Sequence, residues 1–248
     1  MPTVLLIRHG RSTANTSGVL AGRTPGINLD DRGRDQAAAL AARLGGLGLA
    51  AIVSSPLERC RQTVAPLASA LGLRVRLDKR VAECDYGDWT GRSIATLMKE
   101  PLWRTVQAHP SAVAFPGGES LPAMAARTVA AVRDWDARVA AEHGPGAVWA
   151  LCSHGDPIKA VVAESLGLHL DLFQRINVDP GSVTAIRWTE LRPFLIKLND
   201  TGGDIEAYRP AKNRKRRGGT DAVVGGGAGP SDNGSGPAGN SAGRRPRH

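Results

Sequence analysis

"TVLLIRHGRSTAN" (3–15) changes character at a single point, and the reading of that point decides the fold. Residues 4–7 form an uninterrupted apolar run rich in branched side chains, the pattern of a strand buried on both faces. The run stops at Arg8-His9-Gly10 and turns polar through Arg11, Ser12, Thr13 and Asn15. One reading is a loop that happens to be polar. The other is a buried strand that presents a nucleophile and an anion clamp at its C-terminal end.

Outward from this stretch, strand and helix patterns alternate. "DRGRDQAAALAARLGGLG" (31–48) has helical composition and ends in glycines. "AAIVSS" reads as a second buried strand closed by Pro56, and "LERCRQTVAPLASALG" (57–72) returns as a helix. "RVRLD" (74–78) is a third strand, and "SLPAMAARTVAAVRDWDARVAAEHG" (120–144) a long helix. "AVWALCSHG" (147–155) is another buried strand, followed by the helix "PIKAVVAESLG". "SVTAIRW" and "PFLIKLND" finish as strands at one edge. This order predicts an α/β fold: a single-domain, three-layer α/β/α sandwich around a mostly parallel central sheet. In such sheets ligands bind outside the carboxyl ends of the strands. There the sequence places Arg8-His9-Gly10, Ser54-Ser55 and Ser153-His154-Gly155.

The formal net charge of +9 over 248 residues suggests a polyanion partner until it is located. Residues 211–248 carry eight Lys/Arg against Asp221 and Asp232, which is +6 and leaves +3 for the rest. That stretch is also rich in glycine and poor in apolar residues, which predicts disorder. The expected organisation is a folded domain over 1–209 and a disordered basic, Gly-rich tail over 210–248. No window is apolar enough for a membrane span, and residues 4–7 are too short for a signal-peptide core. Cys60, Cys84 and Cys152 fit neither a disulfide framework nor a zinc site, so a cytoplasmic protein without metal or cofactor is expected. Neither of the common glycine-rich nucleotide loops is present.

"RHGRSTAN" (8–15), "SSPLERCRQT" (54–63), "ECDYGDWTG" (83–91) and "SHG" (153–155), taken in order, resemble the histidine phosphatase superfamily, the phosphoglycerate-mutase-like proteins. "FPGGES" (115–120) and "DPGSVTAI" (179–186) extend the resemblance, which covers roughly 2–200. The resemblance implies a phosphatase in which His9 becomes a phosphohistidine and Arg8 and Arg59 grip the phosphoryl oxygens. It makes His154 and Asn15 further phosphoryl contacts and Glu83 the proton donor to the leaving group. One departure is Pro25-Gly26, where the family often carries an aspartate.

Elementary chemistry asks for the same residue types. A neutral imidazole is nucleophilic, and covalent catalysis divides one hard displacement into two easier ones. Arginine binds phosphate oxygens bidentately and keeps its charge. A carboxyl group of raised pKa can protonate the leaving alkoxide, which predicts better activity on the acid side of neutrality.

Several alternatives stand beside these readings. Asp85 and Asp88 compete with Glu83 as the acid. Ser12 and Asn15 are equally good helix-start residues. Trp89 is a pocket wall or a core residue, and Gly117, Gly118 and Glu119 are a substrate loop or a turn. His109, His143, His169 and His248 read as surface residues. The expected partner is a small-molecule phosphomonoester, with no membrane partner, a nucleic-acid partner disfavoured, and homo-oligomerisation left open. The rival activities are a phosphoglycerate mutase, whose inserted substrate-contacting segment is not evident here, and polyanion or scaffold binding through "KNRKRR" (212–217).

Overall fold

The computed structural model describes residues 2–202, so the expected disordered tail over 210–248 and the boundary at 209 lie outside the described residues. A six-stranded sheet runs through the centre, in the order β3-β2-β4-β1-β5-β6. Its strands are β1 (Thr3–Arg8), β2 (Ile52–Ser54), β3 (Val75–Leu77), β4 (Val148–Ser153), β5 (Val183–Arg187) and β6 (Phe194–Asp200). β3, β2, β4 and β1 are mutually parallel neighbours, whereas β5 is antiparallel to β1 and β6 to β5. The expected mostly parallel sheet is therefore present, with its two final strands closing one edge.

β1 shows why the apolar run is unbroken. Val4 and Leu6 point into one hydrophobic core, and Leu5 and Ile7 into the other. Helices α2 (Asp31–Leu44) and α3 (Glu58–Leu71) cover the second core with Leu40, Leu44, Val64 and Leu67. Helices α6 (Leu121–His143) and α7 (Gly155–Ser165) cover the first with Leu121, Met124, Val132, Ile158 and Val161. A strand sandwiched this way has no solvent face on which to alternate.

The expected elements are present with trimmed ends. α2 stops at Leu44, capped by Gly45, and the glycines beyond it form a turn. α6 begins after the N-cap Ser120, whose hydroxyl accepts from the Ala123 N–H. Residues 91–112, outside the expected elements, contain α4 (Ile94–Leu97) and α5 (Pro101–Ala108). α5 opens on Pro101 and buries Trp103 and Val106, three residues apart on one face. Trp89 stacks on Trp103 at 6.1 Å in this core, so its core reading holds. Among the described residues no helix is long and apolar enough to cross a membrane.

Candidate active site

The parallel register pairs Arg8 of β1 with Ser153 of β4, so the next residues, His9 and His154, emerge side by side. Their rings meet edge to face with centroids 5.2 Å apart. The turn that holds His9 is locked from two directions. The Gly10 N–H donates to Thr63 Oγ1 at 2.9 Å, and the Gly181 N–H donates to the carbonyls of both Arg8 and His9. Gly10 and Gly33 are required by close approach: a Cβ on Gly10 would stand 2.6 Å from the Gly33 carbonyl oxygen, and one on Gly33 2.0 Å from that of Arg11. The start of α2 is thereby pressed against the strand end.

His9 is buried, and its Nδ1 lies 2.7 Å from the Gly10 carbonyl oxygen. A carbonyl only accepts, so Nδ1 carries the proton and Nε2 keeps its lone pair. Nε2 accepts a 3.3 Å hydrogen bond from Arg59 Nε. Burial, then the charges of Arg59 and Arg8, push the His9 pKa well below the usual 6.5, so the ring is neutral near pH 7. His154 is held neutral for the same first cause, burial, followed by Arg59. Its Nε2 lies 2.8 Å from Ser55 Oγ, at the end of β2.

Both guanidinium groups are buried. Arg59, in the first turn of α3, donates from Nη2 to the Gly22 carbonyl at 2.8 Å, and its buried Nη1 has no hydrogen-bond partner among the described residues. Arg8 donates from Nη1 to the Val178 carbonyl, and burial lowers its pKa to about 10.

Glu83 is buried and accepts from the Cys84 N–H at 2.9 Å. Burial first, then the charge of Asp156, raises its pKa to about 7. Asp85 and Asp88 are the less buried of the three acids: Asp88 is exposed, and Asp85 accepts from Arg23 and from the Gly87 N–H. Only Glu83 of these three lines the recess beside His9, whose walls also include Asn15, Arg59 and Tyr86. The recess holds about 70 Å³. Arg8 and His154 do not line it and are completely buried.

Asn15 sits both on the recess and at a helix start. It lines the recess, and it closes a capping box with Ser12 at the start of α1 (Thr13–Ser17), its Oδ1 accepting from the Ser12 N–H at 3.0 Å. Residues 117–119 belong to a tightly packed turn before α6: the Glu119 N–H donates to the Asp85 carbonyl, and a Cβ on Gly118 would stand 2.3 Å from that same oxygen. His109, His143 and His169 are exposed, as expected, and His248 lies outside the described residues.

The sequence reading missed the supports of Glu83. Arg127 of α6 donates to the carbonyls of Arg80, Ala82 and Glu83, and Arg23 donates to the Glu83 carbonyl at 2.9 Å. Tyr86 donates through its hydroxyl to Asp156, a buried carboxylate on α7. A lysine and an aspartate in the otherwise buried helix over 155–165 were the available signal. An uncharged nucleophilic nitrogen beside two buried guanidinium groups suits an anionic electrophile, and a buried carboxyl near neutrality can give or take a proton there.

The chain as a whole is similar to known proteins. Phosphoserine phosphatase 1 of Hydrogenobacter thermophilus is 33% identical over 207 residues, covering 81% of this chain and 93% of that protein. A probable phosphoglycerate mutase of Enterobacter sp. is 30% identical over 209 residues, covering 83% and 94%. The solved mycobacterial glucosyl-3-phosphoglycerate phosphatase superposes with a TM-score of 0.73 at 29% identity, covering 80% of this chain and 99% of that one. The profile of the histidine phosphatase superfamily (branch 1) matches residues 4–201, and this chain belongs to that superfamily.

Proposed function

We propose that this protein is a phosphatase that hydrolyses phosphomonoesters through a phosphohistidine on His9. The observation that carries the reading is the His9 ring: a neutral imidazole, proton on Nδ1, lone pair on Nε2, beside Arg59 in a buried recess. Nε2 attacks phosphorus in line as the ester P–O bond breaks, and Glu83 gives its proton to the departing oxygen. Glu83, now a carboxylate, takes a proton from water; the oxygen attacks phosphorus, the P–N bond breaks, and inorganic phosphate leaves with His9 restored. Arg8 and Arg59 hold the phosphoryl oxygens, with His154 and the Asn15 amide completing the cradle. The Arg59 Nε donor now directed at His9 turns to a phosphoryl oxygen as the substrate arrives, and its buried Nη1 supplies a second. Phosphoryl transfer demands chiefly this kind of positioning and charge stabilisation.

Glu83 in its protonated form places the working range on the acid side of neutrality. The catalytic domain runs over 1–209, with 210–248 as an appended tail. The three buried free thiols are in keeping with a reducing, cytoplasmic setting. The test is a phosphomonoester panel, including phosphoserine and glucosyl-3-phosphoglycerate from the relatives' names, run on wild type and His9→Ala. Expected is turnover in the wild type, a loss of about 10³-fold or more in the variant, and an acid-labile phosphohistidine trapped on the wild type alone. Hydrolysis that survives His9→Ala overturns the mechanism.

A second reading is favoured by the relative named as a probable phosphoglycerate mutase. The same residues can return the phosphoryl group to a hydroxyl instead of to water. Incubation with 3-phosphoglycerate, followed by ³¹P NMR, separates the two: the 2-isomer without free phosphate sinks the hydrolase reading.

A further inference from the structure

The stretch "FPGGES" (115–120) carries a charge that the reaction leaves unused. Glu119 stands just before the N-cap of α6, and its carboxylate is the meeting point of two arginines from distant parts of the chain. Arg23 Nη2 donates to Oε1 at 2.8 Å. Arg127 of α6 bonds both oxygens, Oε1 from Nη2 and Oε2 from Nε at 2.9 Å. The same two arginines converge on one backbone atom, the Glu83 carbonyl oxygen, from Arg23 Nε at 2.9 Å and from Arg127 Nη2 at 3.0 Å. Glu119 also touches this segment directly. Its Oε1 accepts from the Asp85 N–H at 2.8 Å, and its own N–H donates to the Asp85 carbonyl at 2.9 Å. Stability gives little reason for the arrangement. The Arg23, Glu119 and Arg127 side chains are 39%, 17% and 19% exposed, and ion pairs open to water contribute little.

We propose that Glu119 is a positioning residue for the proton donor: it fixes Arg23 and Arg127 so that both hold the Glu83 carbonyl, and thereby holds the Glu83 carboxyl in the recess. This rests on the reading of Glu83 as the proton donor. The link between carbonyl and carboxyl is one peptide plane. The Glu83 C=O and the Cys84 N–H belong to the same rigid unit, and that N–H donates to Glu83 Oε1 at 2.9 Å. Whatever clamps the carbonyl therefore aims the N–H, and the N–H aims the carboxyl. A guanidinium donates in one plane, so a carboxylate that takes one edge of it decides where its other N–H groups point. Without the Glu119 charge each arginine keeps a neutral carbonyl as partner, and Arg23 turns toward Asp85, already 3.5 Å from its Nη1.

The test is Glu119→Gln in the full chain, read in two independent ways. Hydrogen exchange at the Cys84 amide, which reports the peptide plane, should accelerate by about 10-fold while the Leu6 amide of β1 stays at its wild-type rate. The kcat on an alkyl phosphate should fall by about 10-fold with little change in KM, and that on p-nitrophenyl phosphate by much less. Glu119→Asp, which keeps the charge, should recover part of both effects. Arg23→Met removes one of the two holds on the carbonyl from a half-exposed position, and it serves if Glu119→Gln does not fold. Cys84 exchange at the wild-type rate in every variant that folds overturns the proposal. Equal acceleration at Cys84 and Leu6 overturns it too, because Glu119 is then a general stabiliser. If Cys84 alone accelerates and the two substrates lose turnover equally, Glu119 still positions Glu83, and it is the role of Glu83 as proton donor that fails.

Discussion

At the scale of single residues, the proposed chemistry depends on keeping an imidazole uncharged and a carboxyl protonated within one recess. Burial disfavours the charged form of each, so it lowers His9 and raises Glu83. The adjoining guanidinium groups depress His9 further and pull Glu83 down, while Asp156 raises Glu83. With Glu83 near 7 and His9 well below 6.5, both groups are in their working forms below neutrality. The kcat/KM profile is therefore expected to fall as pH rises through about 7. Glu83→Gln should lower kcat by about 10²- to 10⁴-fold on an alkyl phosphate and remove that limb. On p-nitrophenyl phosphate, whose leaving group needs no proton, the loss should be much smaller. Equal losses on both substrates would count against a proton donated by Glu83.

At the scale of elements, the parallel pairing of β1 with β4 sets the two histidines side by side, and the seating of α2 holds them there. Gly33 sits in the first turn of α2 with no room for a methyl group, its Cβ position 2.0 Å from a backbone carbonyl oxygen. Gly33→Ala must move either the helix or the 8–11 turn. It is expected to cost about 1–3 kcal/mol in denaturant unfolding and to lower kcat through displacement of His9. Gly46→Ala, at a position with open space around it, is the control and should change neither. α6 contributes at a distance through Arg127, which ties three carbonyls of the 80–83 segment. Arg127→Met should lower kcat with little change in the dissociation constant of vanadate, because it loosens Glu83 and leaves the arginine pair in place.

At the scale of the whole molecule, titration links the site to stability. His9 and His154 have folded pKa values below the ordinary 6.5, so their contribution is present above 6.5 and is lost as pH falls. Glu83 is the reverse: raised from 4.5 to about 7, it contributes below 4.5 and loses that contribution as pH rises through 7. The Tm should accordingly fall as pH drops below 6.5, where the two histidines outweigh the opposing trend of Glu83, and these groups should leave it flat above 7. His154→Gln is expected to shrink the acid-side decline and Glu83→Gln to steepen it, read by calorimetry. The basic segment is a separate matter of charge. Truncation after Tyr208 should leave turnover unchanged, since the family match ends at 201. Any salt-sensitive RNA binding should disappear with it.

The sequence by itself determined the sheet and the list of candidate site residues. Unbroken apolar runs in "TVLLIR" and "AVWALC" can only be buried strands, and a histidine ending each must reach the same edge of a parallel sheet. Trp89 and Asn15 stayed open because a core contact and a helix cap leave no periodic trace in a loop; the structure puts Trp89 in the core and makes Asn15 both a cap and part of the recess wall. Only the tertiary structure decided which of three nearby acids lines the recess with His9, and that Arg127 holds the Glu83 carbonyl. His9 and Glu83 are 74 positions apart in the chain, and the Glu83–Arg127 hydrogen bond spans 44. Electrostatic effects in a buried site depend on distance and local dielectric, and neither exists until the helices have packed.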